Sequence, residues 1–96
     1  MLNDNPLLAF LGKRGRGAVV EALRRNPHRA LHVRELARLA DVAPMVASRA
    51  ARELQALGAA EVGRRGREVT VRLDAAGKAG AFLAEVQVPD PPFRAA

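Results

Sequence analysis

Three arginines fall within four consecutive residues of the segment GRRGRE, and their chemistry is the most distinctive in the chain. Gly63 precedes Arg64 and Arg65, and Gly66 separates them from Arg67. Guanidinium groups stay charged at neutral pH and donate paired hydrogen bonds to phosphate oxygens. Glycine permits a tight turn, and like charges on one turn repel each other unless an anion neutralises them. The segment therefore predicts the tip of a β-hairpin that binds a polyanion.

Other reactive arrangements are absent or too sparse for catalysis. The chain has no cysteine, so disulfides and thiolate metal sites are excluded, and its single serine, Ser48, cannot form a serine–histidine–acid set. His28 and His32 are four residues apart but span a predicted loop-to-strand junction, so we expect no metal there. The segment GKRGRG, from Gly12 to Gly17, lacks the spacing of a phosphate-binding loop; it is a solvated turn, a basic helix start near a phosphate, or a segment similar to an AT-hook core, which would lie in a minor groove. We expect no enzyme, no cofactor and no metal.

Positive charge is concentrated in the middle of the chain. The net charge is +6 over 96 residues, and residues 13–72 hold 14 Lys or Arg against 6 Asp or Glu. A field of this sign suits a polyanion such as nucleic acid, although a basic domain without that partner has the same composition. The length fits one domain, which we expect over 1–88, followed by a flexible proline-rich tail over 89–96.

The compartment follows from what the sequence lacks. No apolar run approaches the roughly 20 residues that a membrane span needs. The first ten residues lack the basic region of a signal peptide, and the absence of cysteine is compatible with a cytosol. We therefore expect a cytoplasmic protein that does not enter a membrane.

Two short helices just before the arginine segment must position any site. Apolar residues at 33, 36, 37 and 40 share one face and predict a helix over 33–40. His32 stands at its cap position with Glu35 three residues later, as in a capping box. Pro44 suits the first position of the next helix, which we expect to end at about Leu57 with Gly58 as a left-handed stop.

The rest of the chain predicts further helices and a small sheet. Helices are expected over 3–11, 16–25 and 75–86, and strands over 31–33, 60–62 and 69–73. Asp4 or Asn5 caps the first helix and Asp74 the last. Alternation along 69–73 predicts that the polar side chains of this strand, including Thr70, face solvent.

This order of elements resembles the winged helix-turn-helix fold of small prokaryotic transcriptional regulators of the MarR and ArsR type. That fold is mainly α with a small β-hairpin wing. The fragment DVAPMVASRAAREL, 41–54, resembles the turn and recognition helix of the family, and LDAAGKAG, 73–80, the start of its closing helix. The chain is also similar to winged-helix domains that accompany nucleotidyltransferases of toxin–antitoxin modules. The resemblance covers about residues 7–86 and is most specific over 33–73.

The resemblance implies that the second helix of the motif, about 44–57, enters the major groove of DNA with its N-terminal residues at base edges. With Ala47, Ala51 and Leu54 inward, the outward residues are Pro44, Met45, Val46, Ser48, Arg49 and Arg52. Arg49 is the best candidate to contact guanine. Met45 or Val46 suits a thymine methyl, and Ser48 a base or a phosphate. Ala43 departs from the serine or threonine cap that is usual in the family.

The preceding helix crosses the DNA backbone in this architecture, so Arg34 and Arg38 suit phosphates, although an ordinary solvated face is an equal alternative. The wing, 63–68, would place Arg64, Arg65 and Arg67 in a narrow minor groove or on phosphates.

The sequence thus predicts a transcriptional regulator that binds double-stranded DNA sequence-specifically as a homodimer. The terminal helices, with Leu7, Leu8, Leu11 and Phe82, Leu83, Val86, would form the dimer interface unless they only close the core of the monomer. The alternatives are a protein-interaction module of a larger assembly and an RNA-binding module; an aromatic content of 3% argues against the latter.

Overall fold

A computed structural model describes residues 5–86, so the expected tail over 89–96 lies outside the described residues. Its elements follow in the order α1 (Pro6–Leu11), α2 (Arg16–Arg24), β1 (Leu31–His32), α3 (Val33–Ala40), α4 (Pro44–Ala56), β2 (Ala60–Arg65), β3 (Glu68–Leu73) and α5 (Lys78–Glu85). None of these helices is both long and apolar enough to cross a membrane.

The turn between α3 and α4 is closed by a Schellman motif. Asp41 adopts the left-handed conformation with a φ of 57°, which aspartate tolerates better than most residues. The Val42 N–H donates to the Ala37 carbonyl at 3.0 Å, and the Asp41 N–H donates to the Arg38 carbonyl at 3.2 Å. Pro44 begins α4 where its missing N–H leaves no gap. The predicted bounds of α3 and the predicted start of α4 are confirmed.

The predicted capping box at the start of α3 is wrong. His32 stands at the cap position, but its side chain makes no capping hydrogen bond. Its Nδ1 lies 3.0 Å from Oε1 of Glu68 on the wing, while the Glu35 carboxylate is paired with Arg29 at 3.2 Å. The Glu35 carboxylate is therefore engaged outside the helix, and the buried Nδ1 of His32, although close to Glu68, makes no hydrogen bond to any described residue.

β1 and the hairpin form a three-stranded antiparallel sheet in the order β1-β3-β2. The predicted short strand at 31–33 is therefore real, and Leu31 pairs with Val71 of the central strand. Thr70 was expected to face solvent but is buried. It lies opposite His32 on one side and Gly63 on the other, so neighbouring strands cover it.

The hairpin is longer and its loop tighter than predicted. β2 continues through Arg65, which pairs with Glu68, so that only Gly66 and Arg67 form the loop. Gly66 has a φ of 64° at the first loop position, as two-residue type II′ turns require. Gly63 and Arg64, expected in the tip, are strand residues.

α4 packs against the core through small side chains. Ala47 and Ala50 are fully buried, Ala51 is 1% exposed and Leu54 is fully buried. The predicted inward face is thus confirmed, with Ala50 added to it. Because alanine projects only a methyl group, α4 lies close against the elements beneath it.

The first helix buries a different stripe from the one predicted. The Asn5 side chain caps α1 by accepting a hydrogen bond from the Leu7 N–H at 2.9 Å, as one of the two predicted caps. Phe10 is buried together with Leu11, whereas Leu8 is 39% exposed. The core side of α1 therefore includes an aromatic ring, that of Phe10, which the leucine pattern did not predict.

The last helix begins three residues later than expected. α5 starts at Lys78, and its cap position is Gly77 and not Asp74. Gly80 lies directly against the Asp74 carbonyl and near that of Ala59, where a Cβ would collide with backbone. Leu83 is fully buried. A helix-turn-helix followed by a hairpin and a closing helix is the winged helix-turn-helix fold.

Candidate nucleic-acid interface

The outward face of α4 presents most of the predicted reading residues to solvent. Met45 is 64% exposed, and the residues that are exposed or half-buried with it are Pro44, Ser48, Arg49 and Arg52. Ala43 gives the helix no side-chain cap. The face therefore combines one apolar side chain, one hydroxyl and two guanidinium groups.

Val46 is less available than its neighbours on the same helix. A Cβ built on Gly15 would lie 3.1 Å from Cγ1 of Val46 and equally close to Cγ1 of Val42. Gly15 has a φ of 77°, so the loop before α2 closes tightly over the helix-turn-helix. Val46 is half-buried by that loop, whereas the helical spacing predicted it to be on the outward face.

A cavity of about 330 Å³ lies between the start of α3, the middle of α4 and the wing. Its walls include Arg34, Ser48 and Arg67, three residues that the sequence assigned separately to a backbone-crossing helix, a reading helix and a wing. Val33 and Val69 contribute its apolar wall, and Glu68 also lines it. The fold thus brings donors from all three predicted elements to one cleft.

The wing arginines do not form the single cluster that the sequence suggested. Arg64 and Arg65 are consecutive residues of β2, so their side chains leave opposite faces of the sheet. Arg64 lies opposite Val69 and Arg65 opposite Glu68, while Arg67 lies in the loop. All three are exposed, and they surround the hairpin instead of projecting from one side.

The basic residues divide into those with an acidic partner and those without one. Ion pairs within residues 5–86 join cations of the first half of the chain, and one of β3, to glutamates: Lys13 and Arg16 to Glu53, Arg24 and Arg25 to Glu21, Arg29 to Glu35, and Arg72 to Glu61. The arginines that the sequence assigned to an interface have no such pair with any described residue: Arg34, Arg38, Arg49, Arg52, Arg64, Arg65 and Arg67.

A charged cluster that sequence analysis missed joins α4 to the start of α2. Arg16 is buried, and its Nε donates to Oε1 of Glu53 at 2.8 Å. Lys13 Nζ donates to Oε2 of the same carboxylate at 3.1 Å. The hydrogen bond from Arg16 holds the pKa of Glu53 below its usual 4.5, with desolvation opposing and Lys13 assisting. The carboxylate is therefore charged at neutral pH.

The Gly12–Gly17 segment thus has a structural use for two of its cations. Its composition predicts a solvated turn or a contact with nucleic acid, and the structure adds a pairing with a carboxylate of α4. Its partner, Glu53, lies 37 residues beyond Arg16, and no local pattern signals a contact at that separation. The turn at Gly15 is what brings Lys13 and Arg16 against α4.

Comparison with protein-family models gives no match, and no curated protein matches the chain. Among solved structures, the chain is similar to the AntR antimony-specific transcriptional repressor. The two chains share 23% sequence identity with a TM-score of 0.64, and the match covers 80% of this chain and 67% of that one. This likeness supports the winged helix-turn-helix fold described above.

Proposed function

We propose that this chain binds double-stranded DNA sequence-specifically and regulates transcription, acting in the cytoplasm. The observation that carries the proposal is the segregation of charge. Among residues 5–86, the seven arginines of α3, α4 and the wing have no ion pair with a carboxylate, whereas Glu21, Glu35, Glu53 and Glu61 are paired with other cations. Guanidinium groups left unpaired on a helix-turn-helix and its wing are matched by a row of phosphates.

In this proposal the recognition segment, about 44–57, lies in the major groove. It consists of α4 and the residue that follows it. Arg49 donates two hydrogen bonds to guanine O6 and N7, since its planar fork fits that edge. Met45, exposed near the start of the helix, contacts a thymine methyl, and Arg52 binds at the groove edge. Val46 contributes less than its neighbours because Gly15 packs against it.

The cleft between α3, α4 and the wing holds the DNA backbone. Arg34, Ser48 and Arg67 line it together with Glu68, so donors from three elements face the backbone beside one carboxylate. Arg38 lies one helical turn beyond Arg34 and binds the next part of the backbone. Phosphate contacts of this kind fix the register of the protein while the bases are read by α4.

The wing, 63–68, lies on the minor groove or the adjacent backbone. Arg64 and Arg65 leave opposite faces of β2, so one of them reaches each side of an inserted hairpin. The two-residue loop of Gly66 and Arg67 is narrow, which suits a groove about 6 Å wide. Arg67 lies in the loop and also lines the cleft, so it links the minor-groove contacts to the backbone contacts.

The proposal includes a homodimer. Leu8 is 39% exposed, and Phe82 of α5 and Val86 directly after it are half-buried, which leaves apolar surface at both α1 and α5. Arg24 donates to the Val86 carbonyl, so α5 is held against its own α2 and presents only its outer side. A dimer would contact two half-sites about 34 Å apart. Light scattering that gives a monomer at tens of micromolar would contradict this part.

Selection of bound duplexes from a random pool tests DNA binding and yields the half-site. Enrichment of one sequence is expected. No enrichment, together with no affinity for mixed duplex DNA at low salt, would contradict the proposal and favour a protein-interaction module. The chain has no cysteine, so thiolate binding of a metal or metalloid effector is not part of the proposal.

The salt dependence of binding isolates the wing. Removing one phosphate contact by Arg64→Ala should flatten the slope of log affinity against log salt by about one unit. Arg25→Ala is the matched control, because it removes the same charge from an exposed arginine paired with Glu21. An unchanged slope for Arg64→Ala and Arg67→Ala would remove the wing from the interface.

A further inference from the structure

Glu53 occupies the position on α4 from which it could disable the best reading residue. It lies four residues after Arg49 within the continuous helix Pro44–Ala56. Side chains at this spacing are neighbours on a helix surface, and opposite charges there attract each other. A free Glu53 carboxylate would therefore compete with DNA for the Arg49 guanidinium.

Both oxygens of that carboxylate are bound elsewhere. Arg16 Nε holds Oε1 at 2.8 Å, and Lys13 Nζ holds Oε2 at 3.1 Å. The Arg16 side chain is only 11% exposed, and its Nη1 donates to the Arg14 carbonyl at 3.2 Å. The Arg14 carbonyl thus helps to hold the Arg16 guanidinium in place, and Arg49 has no ion pair with a carboxylate among residues 5–86.

We infer that Lys13 and Arg16 are positioning residues for DNA recognition, which hold Glu53 away from Arg49 and keep the Arg49 guanidinium free for a base. The inference rests on the proposed function. It assigns the GKRGRG loop a role in specificity although the loop itself touches no base. Arg16 is the principal residue, and the exposed Lys13 assists it.

The readout is base discrimination, because loss of a positive charge weakens binding to every duplex and cancels in a ratio. The affinity for the selected duplex is divided by the affinity for the same duplex altered at the base pair whose recognition Arg49→Ala abolishes. Arg16→Met should lower this ratio about two- to fivefold, the range expected for an exposed ion pair. Glu53→Gln in the Arg16→Met background should restore it, since the competing charge is gone.

Arg25→Met serves as the control for charge loss and should leave the ratio unchanged. Thermal unfolding by circular dichroism identifies variants that fold. If Arg16→Met does not fold, Lys13→Met decides, because Lys13 is exposed and its loss frees one carboxylate oxygen. That variant should lower the ratio, with rescue by Glu53→Gln.

An unchanged ratio in folded Arg16→Met, or a lowered ratio that Glu53→Gln does not restore, overturns the inference and leaves DNA binding intact. A wild-type protein that discriminates no base through Arg49 overturns the base-reading part of the proposed function, and the inference with it. The two failures are therefore distinguishable from the wild-type measurement alone.

Discussion

Replacing Gly80 by alanine tests how the last helix is held in the core. The new Cβ would overlap the carbonyl group of Asp74 and lie 3.2 Å from the Ala59 carbonyl oxygen. These are backbone atoms, so no rotamer change relieves the collision. To restore contact distances of roughly 3.5 Å, α5 must move by about 1–2 Å, which loosens the packing of the fully buried Leu83.

The magnitude follows from three contributions. Overpacking costs about 1–3 kcal/mol, and partial exposure of a leucine adds a share of its roughly 1.5–3 kcal/mol. The better helix propensity of alanine returns about 1 kcal/mol. We therefore expect Gly80→Ala to lower the free energy of unfolding by about 2–3 kcal/mol, which lowers Tm by roughly 10–20 °C for a domain of this size.

Urea unfolding followed by far-ultraviolet circular dichroism measures this change, since the chain has no Trp or Tyr for fluorescence. Gly12→Ala is the matched control. Gly12 has a φ of −74°, and its nearest neighbour to a new Cβ is the Ala9 carbonyl oxygen at 3.5 Å, so it should gain about 0.4–1 kcal/mol. A Gly80→Ala protein within about 0.5 kcal/mol of wild type would refute the close approach of α5 to Asp74.

Three further predictions address the site. Glu53→Gln should destabilise the fold above about pH 5 and progressively less below it. The reason is that the pKa of Glu53 is lowered in the fold, so the stabilisation by its carboxylate is lost as pH falls through that pKa. A difference in the free energy of unfolding between variant and wild type that stays constant down to about pH 3 in urea unfolding would contradict this. Gly66→Ala should cost about 1–2 kcal/mol in the same assay, since the φ of 64° is left-handed, with Gly66→Asn costing less; equal costs for the two would argue against that turn. Arg49→Ala should cost about 1–3 kcal/mol of binding on the selected duplex, and anisotropy titrations that show the same loss on every duplex would indicate a phosphate contact.

Local patterns predicted the helix-turn-helix well because it is built from local interactions. The apolar face of α3 and the proline at the start of α4 depend on residues within one or two turns, and both elements begin where the sequence indicated. α5 was misplaced because Asp74 is as good a cap in sequence as any. α5 instead starts at Lys78, and Gly80 lies against the Asp74 carbonyl, a close approach that is visible only once the chain has folded.

The candidate site shows the same limit. The arginines of the candidate interface could be predicted from their types and spacing, and these arginines have no ion pair with a carboxylate among residues 5–86. The side chains that leave them unpaired could not be named, because Arg16 and Glu53 are distant in sequence. Likewise, Thr70 breaks the alternation rule since strands on both sides cover it.

The alanine face of α4 has a consequence for how this protein could change its target. The buried face of α4 is formed largely by alanines, at 47, 50 and 51. Their packing against the core does not depend on the identity of the outward residues. Several outward residues, including Met45 and Arg49, can therefore be substituted together without repacking the core. A larger residue at one of these alanine positions would instead move the whole helix away from the core. The depth to which α4 enters a groove would then change for every base that it contacts.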